Sequence, residues 1–234
     1  MKICDRTSAV YNGIIYLFIC ASQITYIIRY VIHSLVRVNK PYFEDIQMKN
    51  SGGKGWAAGL ISTIQDAKNY IISSEEAVVI HDKYPKARHH YLVLPKADIP
   101  DIFHLDSSHL VLLEELYLLA QNVIEVKHGH LDDFKIGFHA QPSMQRLHLH
   151  VISKDFVSDC LKTKKHWVSF NTELFLYYQD AYGLLKSGGC ITPLGKEKVQ
   201  QLSNCALKCN QCEYEAKSVP DLKRHLLEHW TQKQ

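Results

Sequence analysis

His148 and His150 alternate with apolar residues in the run Arg146-Leu147-His148-Leu149-His150-Val151-Ile152-Ser153. Two imidazoles beside a guanidinium suit an anionic ligand, because an imidazole serves as nucleophile, acid or donor near neutral pH and arginine stays positive. His139 stands just upstream, and Ser143 between them offers a hydroxyl and a backbone N–H to a phosphate oxygen. Cleavage of a phosphoric anhydride needs an in-line nucleophile and donors for the equatorial oxygens, and this set supplies both. A lone His-x-His also occurs on plain surface strands and as half of a metal site.

A second constellation lies near the C-terminus. Cys209, Cys212, His225 and His229 have two-Cys, two-His zinc spacing, with the thiolates on a knuckle and both histidines at i and i+4 on one helix face. Ser218-Val219-Pro220-Asp221 is a good helix start, and Leu222 supplies a small core. One finger covers only ~3 base pairs, so it reads no site alone and is equally suited to docking.

These side chains need elements to aim them. Period-two alternation predicts a half-buried strand, with Arg146, His148 and His150 on one face and Leu147, Leu149 and Val151 in the core. Ala77 to Ile80, His90 to Leu94 before Pro95, and Lys135 to Ala140 read as further strands, and Ala57 to Tyr70 as a short helix. Ser107 or Ser108 caps a long helix whose apolar residues recur at three and four, from Leu110 to Ile124. Lys162 to Trp167 is a basic run ending in an aromatic, and Asn171 or Thr172 opens another helix, which Ser187-Gly188-Gly189 breaks. Strand, strand, helix, strand, strand with short links argues an α+β fold, an antiparallel sheet with its helices on one side.

The 234 residues, 46% hydrophobic and 22% charged, suffice for one globular domain with a small appendage. A net charge of +3 carries no argument for nucleic acid, which would need a local patch. Seven cysteines without a regular framework, two of them a metal-type pair, favour a reducing compartment over a disulfide scaffold. The uncharged stretch from Thr7 to Ile28 has the pattern of a signal peptide or a marginal membrane helix, interrupted by Asn12, Ser22, Gln23 and Thr25. An ordered extra element or a stretch foreign to the natural protein fits as well. The expected divisions are an N-terminal extension (1–50), a catalytic domain (51–156), a basic loop and helix (157–204) and the finger (205–234).

The His-Leu-His-Leu-Val-Ile pattern resembles the His-φ-His-φ-His-φ-φ signature of the histidine-triad nucleotide hydrolases and transferases. From Trp56 to Trp230 the chain is similar to a branch of that family that joins the catalytic domain to a two-Cys, two-His finger. The likeness rests on Val79 to Arg88, Pro142-Ser143-Met144, His148 to Phe156, Lys164 to Thr172 and His229-Trp230-Thr231. It implies a histidine-triad fold and a nuclear DNA-repair hydrolase that removes AMP from adenylated 5′ ends at nicks. His148 would form a covalent AMP intermediate, His139, His150 and Ser143 would hold the phosphate, and His139 could assist the leaving 5′-phosphate. Asp82 would bond the ribose hydroxyls. Lys86, Arg88 and His90 would lie in or behind the pocket, and Trp56 would open the helix that stacks on the DNA end. Lys162, Lys164, Lys165, His166 and Trp167 form a local DNA-binding patch on this reading, or a solvated loop on the plainer one.

The implied ligands are one structural zinc ion, with no metal in the chemistry, DNA as partner and AMP as product, in a monomer. Arg146 occupies the place of the first signature histidine and is expected to take a supporting or DNA-contacting role. The forkhead-associated domain common in this branch is not expected here, nor recruitment of phosphorylated repair partners through it. A small-molecule nucleotidyl hydrolase acting on AMP-lysine or dinucleotide polyphosphates, and a non-enzymatic zinc-finger DNA-binding protein, are the competing readings.

Overall fold

The computed structural model describes Arg37–Val38 (strand β1) and residues 59 to 232. The uncharged N-terminal stretch and Trp56 lie outside the described residues. Among the described residues, no helix is long and apolar enough to cross a membrane.

Six further strands make one antiparallel sheet: β2 (Tyr70–Ser73), β3 (Ala77–His81), β4 (His90–Pro95), β5 (Phe134–His139), β6 (Leu149–Ser153) and β7 (Phe175–Tyr177), side by side in the order β2-β3-β4-β6-β5-β7. β-branched and aromatic residues fill them, and β3 and β4 are almost wholly buried, as central strands are. Two of these strands escape the sequence reading. β2 starts at Tyr70, the last residue of the expected helix, which runs only over Gly59–Gln65 (α1), and three-residue β7 is held by pairing with β5.

The long helix α2 (Leu110–Val126) buries Leu113, Leu116, Ala120, Val123 and Ile124 as its periodicity predicts. Asp106, rather than Ser107 or Ser108, is the capping side chain, and it caps a 3-10 turn ahead of α2. Helices also cover both faces of the sheet instead of one. α1 packs Leu60 on Ile80 and Leu92, on the face that carries His150, while α2 packs behind β2, β3 and β4.

α3 (Lys164–Asn171) is the largest departure. Thr163 caps it, its Oγ1 accepting from the His166 N–H at 3.2 Å, so the basic run forms the helix start and Asn171–Thr172 its end. α4 (Tyr178–Lys186) and α5 (Lys196–Asn204) follow, then the hairpin β8 (Leu207–Lys208) and β9 (Glu215–Ala216), and α6 (Val219–Gln232).

One apolar core joins these parts. Ile152 and Phe156 of the sheet region, Trp167 and Phe170 of α3, and Leu207, Cys209, Leu222 and Leu226 of the finger belong to a single buried cluster. Trp167 donates its indole N–H to Lys208 O at 3.1 Å, and the Arg88 guanidinium lies 4.2 Å from the centre of the Trp230 ring.

Gly137 of β5 stands opposite His150 in register. A Cβ there would come within 2.4 Å of Leu176 O and 2.8 Å of the Phe175 ring, so only glycine lets β7 approach. Gly137→Ala is expected to cost roughly 1–3 kcal/mol, as overpacking does. Thermal denaturation should then show a Tm lower by about 3–10 °C, and an unchanged Tm would mean the sheet edge yields freely.

Candidate active site

Sheet register builds the site. His148 and His150 enter beside and on β6, His90 begins β4, and His139 ends β5, so the register brings four imidazoles together on one face of the central strands. The rings of His139 and His150 stand 4.4 Å apart, His148 and His150 4.7 Å, and His90 and His150 5.2 Å. Phe170 of α3 closes the cluster, its ring edge-on to His90 and His150 and 4.5 Å from His139.

Hydrogen bonds fix each ring's tautomer. A carbonyl only accepts, so the 2.8 Å contact between His148 Nδ1 and Arg146 O puts the proton on Nδ1 and leaves Nε2 with its lone pair. The 3.2 Å contact of His139 Nδ1 with Ser169 O does the same for His139. His90 Nδ1 accepts from the Lys86 N–H at 3.1 Å, so its Nε2–H donates to His150 Nδ1 at 3.0 Å. His150 therefore carries its proton on Nε2, a buried donor without a hydrogen-bond partner among the described residues.

Burial keeps the cluster neutral. It pushes the His90 pKa down to about 4, against Asp82 and with Lys86 and His148 adding, and that of His139 down to about 3, with His148 and His90 adding. Burial lowers His148 too, against the bond to Arg146 O, and takes His150 well below the usual imidazole value. The site thus offers an unprotonated nitrogen at His148 beside a neutral donor at His150. A cavity of about 10 Å³, room for one water molecule, opens beside His139 and His148 and is bordered by Asp101 and Pro142.

Asp82 lies beside His90, its Oδ2 3.6 Å from Nδ1. Lys86 is half-buried; burial depresses its pKa, Asp82 opposes this, and Lys162 adds to it. The charge of Lys86 also reaches His150 and His166, so a cationic strip runs from the imidazoles to the start of α3. Ser143 is exposed on the loop ahead of β6, and Lys162 and Lys165 are exposed, with Lys164 and His166 partly so.

Several expected placements change. His90 is not among them: it lies buried behind the cluster, within the expected range, and holds His150. The Arg88 guanidinium is turned onto Trp230, at the junction with the finger. Trp167 is corrected from a DNA contact to a core residue, 2% exposed, because its ring packs against Phe156 and its indole N–H is spent on Lys208 O. Arg146 is corrected too. The strand begins at Leu149, so alternation does not reach Arg146, whose guanidinium is buried on the carbonyls of Pro95, Lys96 and Ala97.

The sequence reading misses Ser169, Phe170 and Lys135. Lys135 Nζ donates to Phe170 O at 2.9 Å and to Asn171 Oδ1 at 2.6 Å, holding the end of α3 against β5. A lysine inside Phe134-Lys135-Ile136-Gly137-Phe138 is the one signal that could have found it.

In the finger, Cys212 Sγ is 3.1 Å from His225 Nε2 and 3.3 Å from His229 Nε2, and the two imidazole nitrogens are 3.0 Å apart. The Cys209 ligand atom completes a group within 4.8 Å of one another. Two thiolates and two imidazoles at these separations fit a tetrahedral zinc ion. Tyr214 stacks on His225 at 4.1 Å.

Fold and site together define a histidine-triad protein with an integral two-Cys, two-His finger. Residues 55–166 match the family described as "Scavenger mRNA decapping enzyme C-term binding", and residues 171–232 the "C2HE / C2H2 / C2HC zinc-binding finger". The chain is 62% identical over 174 residues to an aprataxin-like protein of Drosophila melanogaster, covering 74% of this chain and 26% of the relative. It is 43% identical over 177 residues to aprataxin of Gallus gallus, covering 75% of this chain and 55% of the relative. The solved structure of the aprataxin ortholog Hnt3 in complex with DNA superposes with a TM-score of 0.61 at 24% identity, covering 74% of this chain and 92% of that one. Over residues 55 to 232, the chain is similar to the aprataxins. It spans about a quarter and about half of the two relatives' own lengths.

Proposed function

We propose that the protein is a DNA-repair hydrolase that removes AMP from adenylated 5′ ends at nicks and single-strand breaks. The observation that carries this is the tautomer set, an unprotonated His148 Nε2 beside the unpartnered His150 Nε2–H, joined by Lys86 to a basic helix start. His148 Nε2 attacks the adenylate phosphorus, a P–N bond forms, and the P–O bond to the DNA 5′-phosphate breaks. The leaving phosphate is a weak base and needs little protonation; water then cleaves the P–N bond and releases AMP. His150 Nε2–H donates to a phosphoryl oxygen as charge grows there, and His139 Nε2 receives a proton from the attacking water. Asp82 takes the ribose hydroxyls, and Ser143 lies on the loop expected to close on the phosphate. One zinc ion held by Cys209, Cys212, His225 and His229 supports the fold, and none enters the chemistry.

Lys164 and Lys165 occupy the first turn of α3, where the helix dipole disfavours cations and that turn carries no acid. Phosphates at this helix start relieve the conflict, and the relative Hnt3 is known in complex with DNA. The protein acts as a monomer in the nucleus on this reading.

A small adenylated substrate is the competing reading, favoured by the match to a decapping-scavenger family. Salt separates them. Three phosphate contacts from Lys162, Lys164 and Lys165 give a log–log salt slope of about −2 to −3 for binding nicked DNA, and replacing all three by alanine should flatten it by that amount. A wild-type slope near zero would point to the small substrate.

A further inference from the structure

We propose that Arg146 is a positioning residue for the nucleophile: it staples the entry of β6 to the end of β4, so that its own main-chain oxygen fixes the tautomer and aim of His148. The role rests on the nucleotidyl-transfer reading above.

Arg146 has φ 91°, the left-handed region that an L-residue with a long side chain avoids. Something must hold it there. Nη2 donates to Pro95 O at 3.1 Å, Lys96 O at 2.7 Å and Ala97 O at 3.3 Å, and Nη1 reaches Asp98 Oδ1 at 3.3 Å. The backbone adds two bonds, Arg146 N–H to Pro100 O at 2.8 Å and Leu147 N–H to Ile99 O at 2.7 Å. Asp98 is 86% exposed, so the ion pair is screened and the buried carbonyls carry the grip.

The held peptide presents Arg146 O to His148 Nδ1 at 2.8 Å. Rotation of that peptide would remove the acceptor and let the imidazole proton move to Nε2, the atom that must attack. In the loop ahead of it Gln141, Ser143 and Gln145 are exposed, and Met144 packs on the Leu60 cluster without bonding the Arg146 peptide. The shorter ring of a histidine at this place could not bridge three successive carbonyls of the neighbouring strand end.

The test uses Arg146→Met, which keeps the length and removes the donors, and Arg146→Lys, which keeps one charged donor. Release of AMP from 5′-adenylated nicked DNA is followed together with the ¹⁵N shifts of the His148 ring. Arg146→Met is expected to lower kcat about 10- to 100-fold with KM little changed, as small misplacements of a reacting group do. Its His148 should show a mixture of tautomers where the wild type shows Nδ1–H alone. Arg146→Lys should recover most of the loss, and Asp98→Asn should change neither readout. If Arg146→Met does not fold, Arg146→Gln, with one amide for the same carbonyls, is read in the same way. A folded variant with wild-type kcat and an unaltered His148 tautomer overturns the proposal. Failure of the wild type to release AMP would instead refute the substrate reading, while the tautomer measurement still decides the role of Arg146.

Discussion

His148→Ala is expected to lose AMP release by a factor on the order of 10⁴–10⁶, the scale of deleting the nucleophile from a hydrolase. DNA affinity should stay within a few-fold, because the cationic strip from Lys86 to the start of α3 is untouched. Single-turnover assays on adenylated nicked DNA, paired with binding measurements, check both halves. A variant as active as wild type would remove His148 from the chemistry, and a large loss of binding would move its role to substrate capture. The pH profile carries the same logic. Burial lowers the His148 pKa below the ordinary 6.5, so its lone pair persists into mild acid and is lost only as pH falls through the depressed value. The acid limb of kcat/KM for AMP release should therefore lie below 6.5, and a limb above 6.5 would contradict a desolvated nucleophile.

Breaking the finger's metal site is expected to silence the catalytic centre as well as to weaken DNA binding. Cys209→Ser, or chelation of zinc, should reduce AMP release even from a small adenylated compound that never touches the finger, by at least about 10-fold. The route is physical. Cys209, Leu222 and Leu226 share one core with Trp167 and Phe170, and the helix bearing Trp167 also carries Ser169 O, which orients His139. An independent module would behave otherwise: small-substrate turnover would survive chelation while DNA affinity fell. Bound zinc, turnover and the near-ultraviolet signal of Trp167 should decline together.

Much of this was legible in the sequence, and the remainder fails for identifiable reasons. The finger is visible because metal geometry dictates spacing, and His148 and His150 because alternation dictates a shared face. Arg146 was misplaced because alternation presumes extended backbone, and its positive φ breaks the strand two residues before His148. Trp167 misled in the opposite way. Charge dominates the run in which it stands, yet on a helix it shares a face with Phe170 and is drawn into the core. β2 and β7 form because partner strands supply their hydrogen bonds, which no local pattern records. His90 shows a finer limit, since its residue type announced a polar role while only the contact with Lys86 N–H shows that it serves His150.

The shared core also bears on the order in which the molecule can become itself. A ribosome delivers this polypeptide from its N-terminal side, and domains generally begin folding as they emerge. Leu222 and Leu226 close the same interior that braces Phe170 against the imidazoles. A nascent chain stalled before Val219–Gln232 therefore lacks the brace on Phe170, and on the proposed function it is expected to be inert.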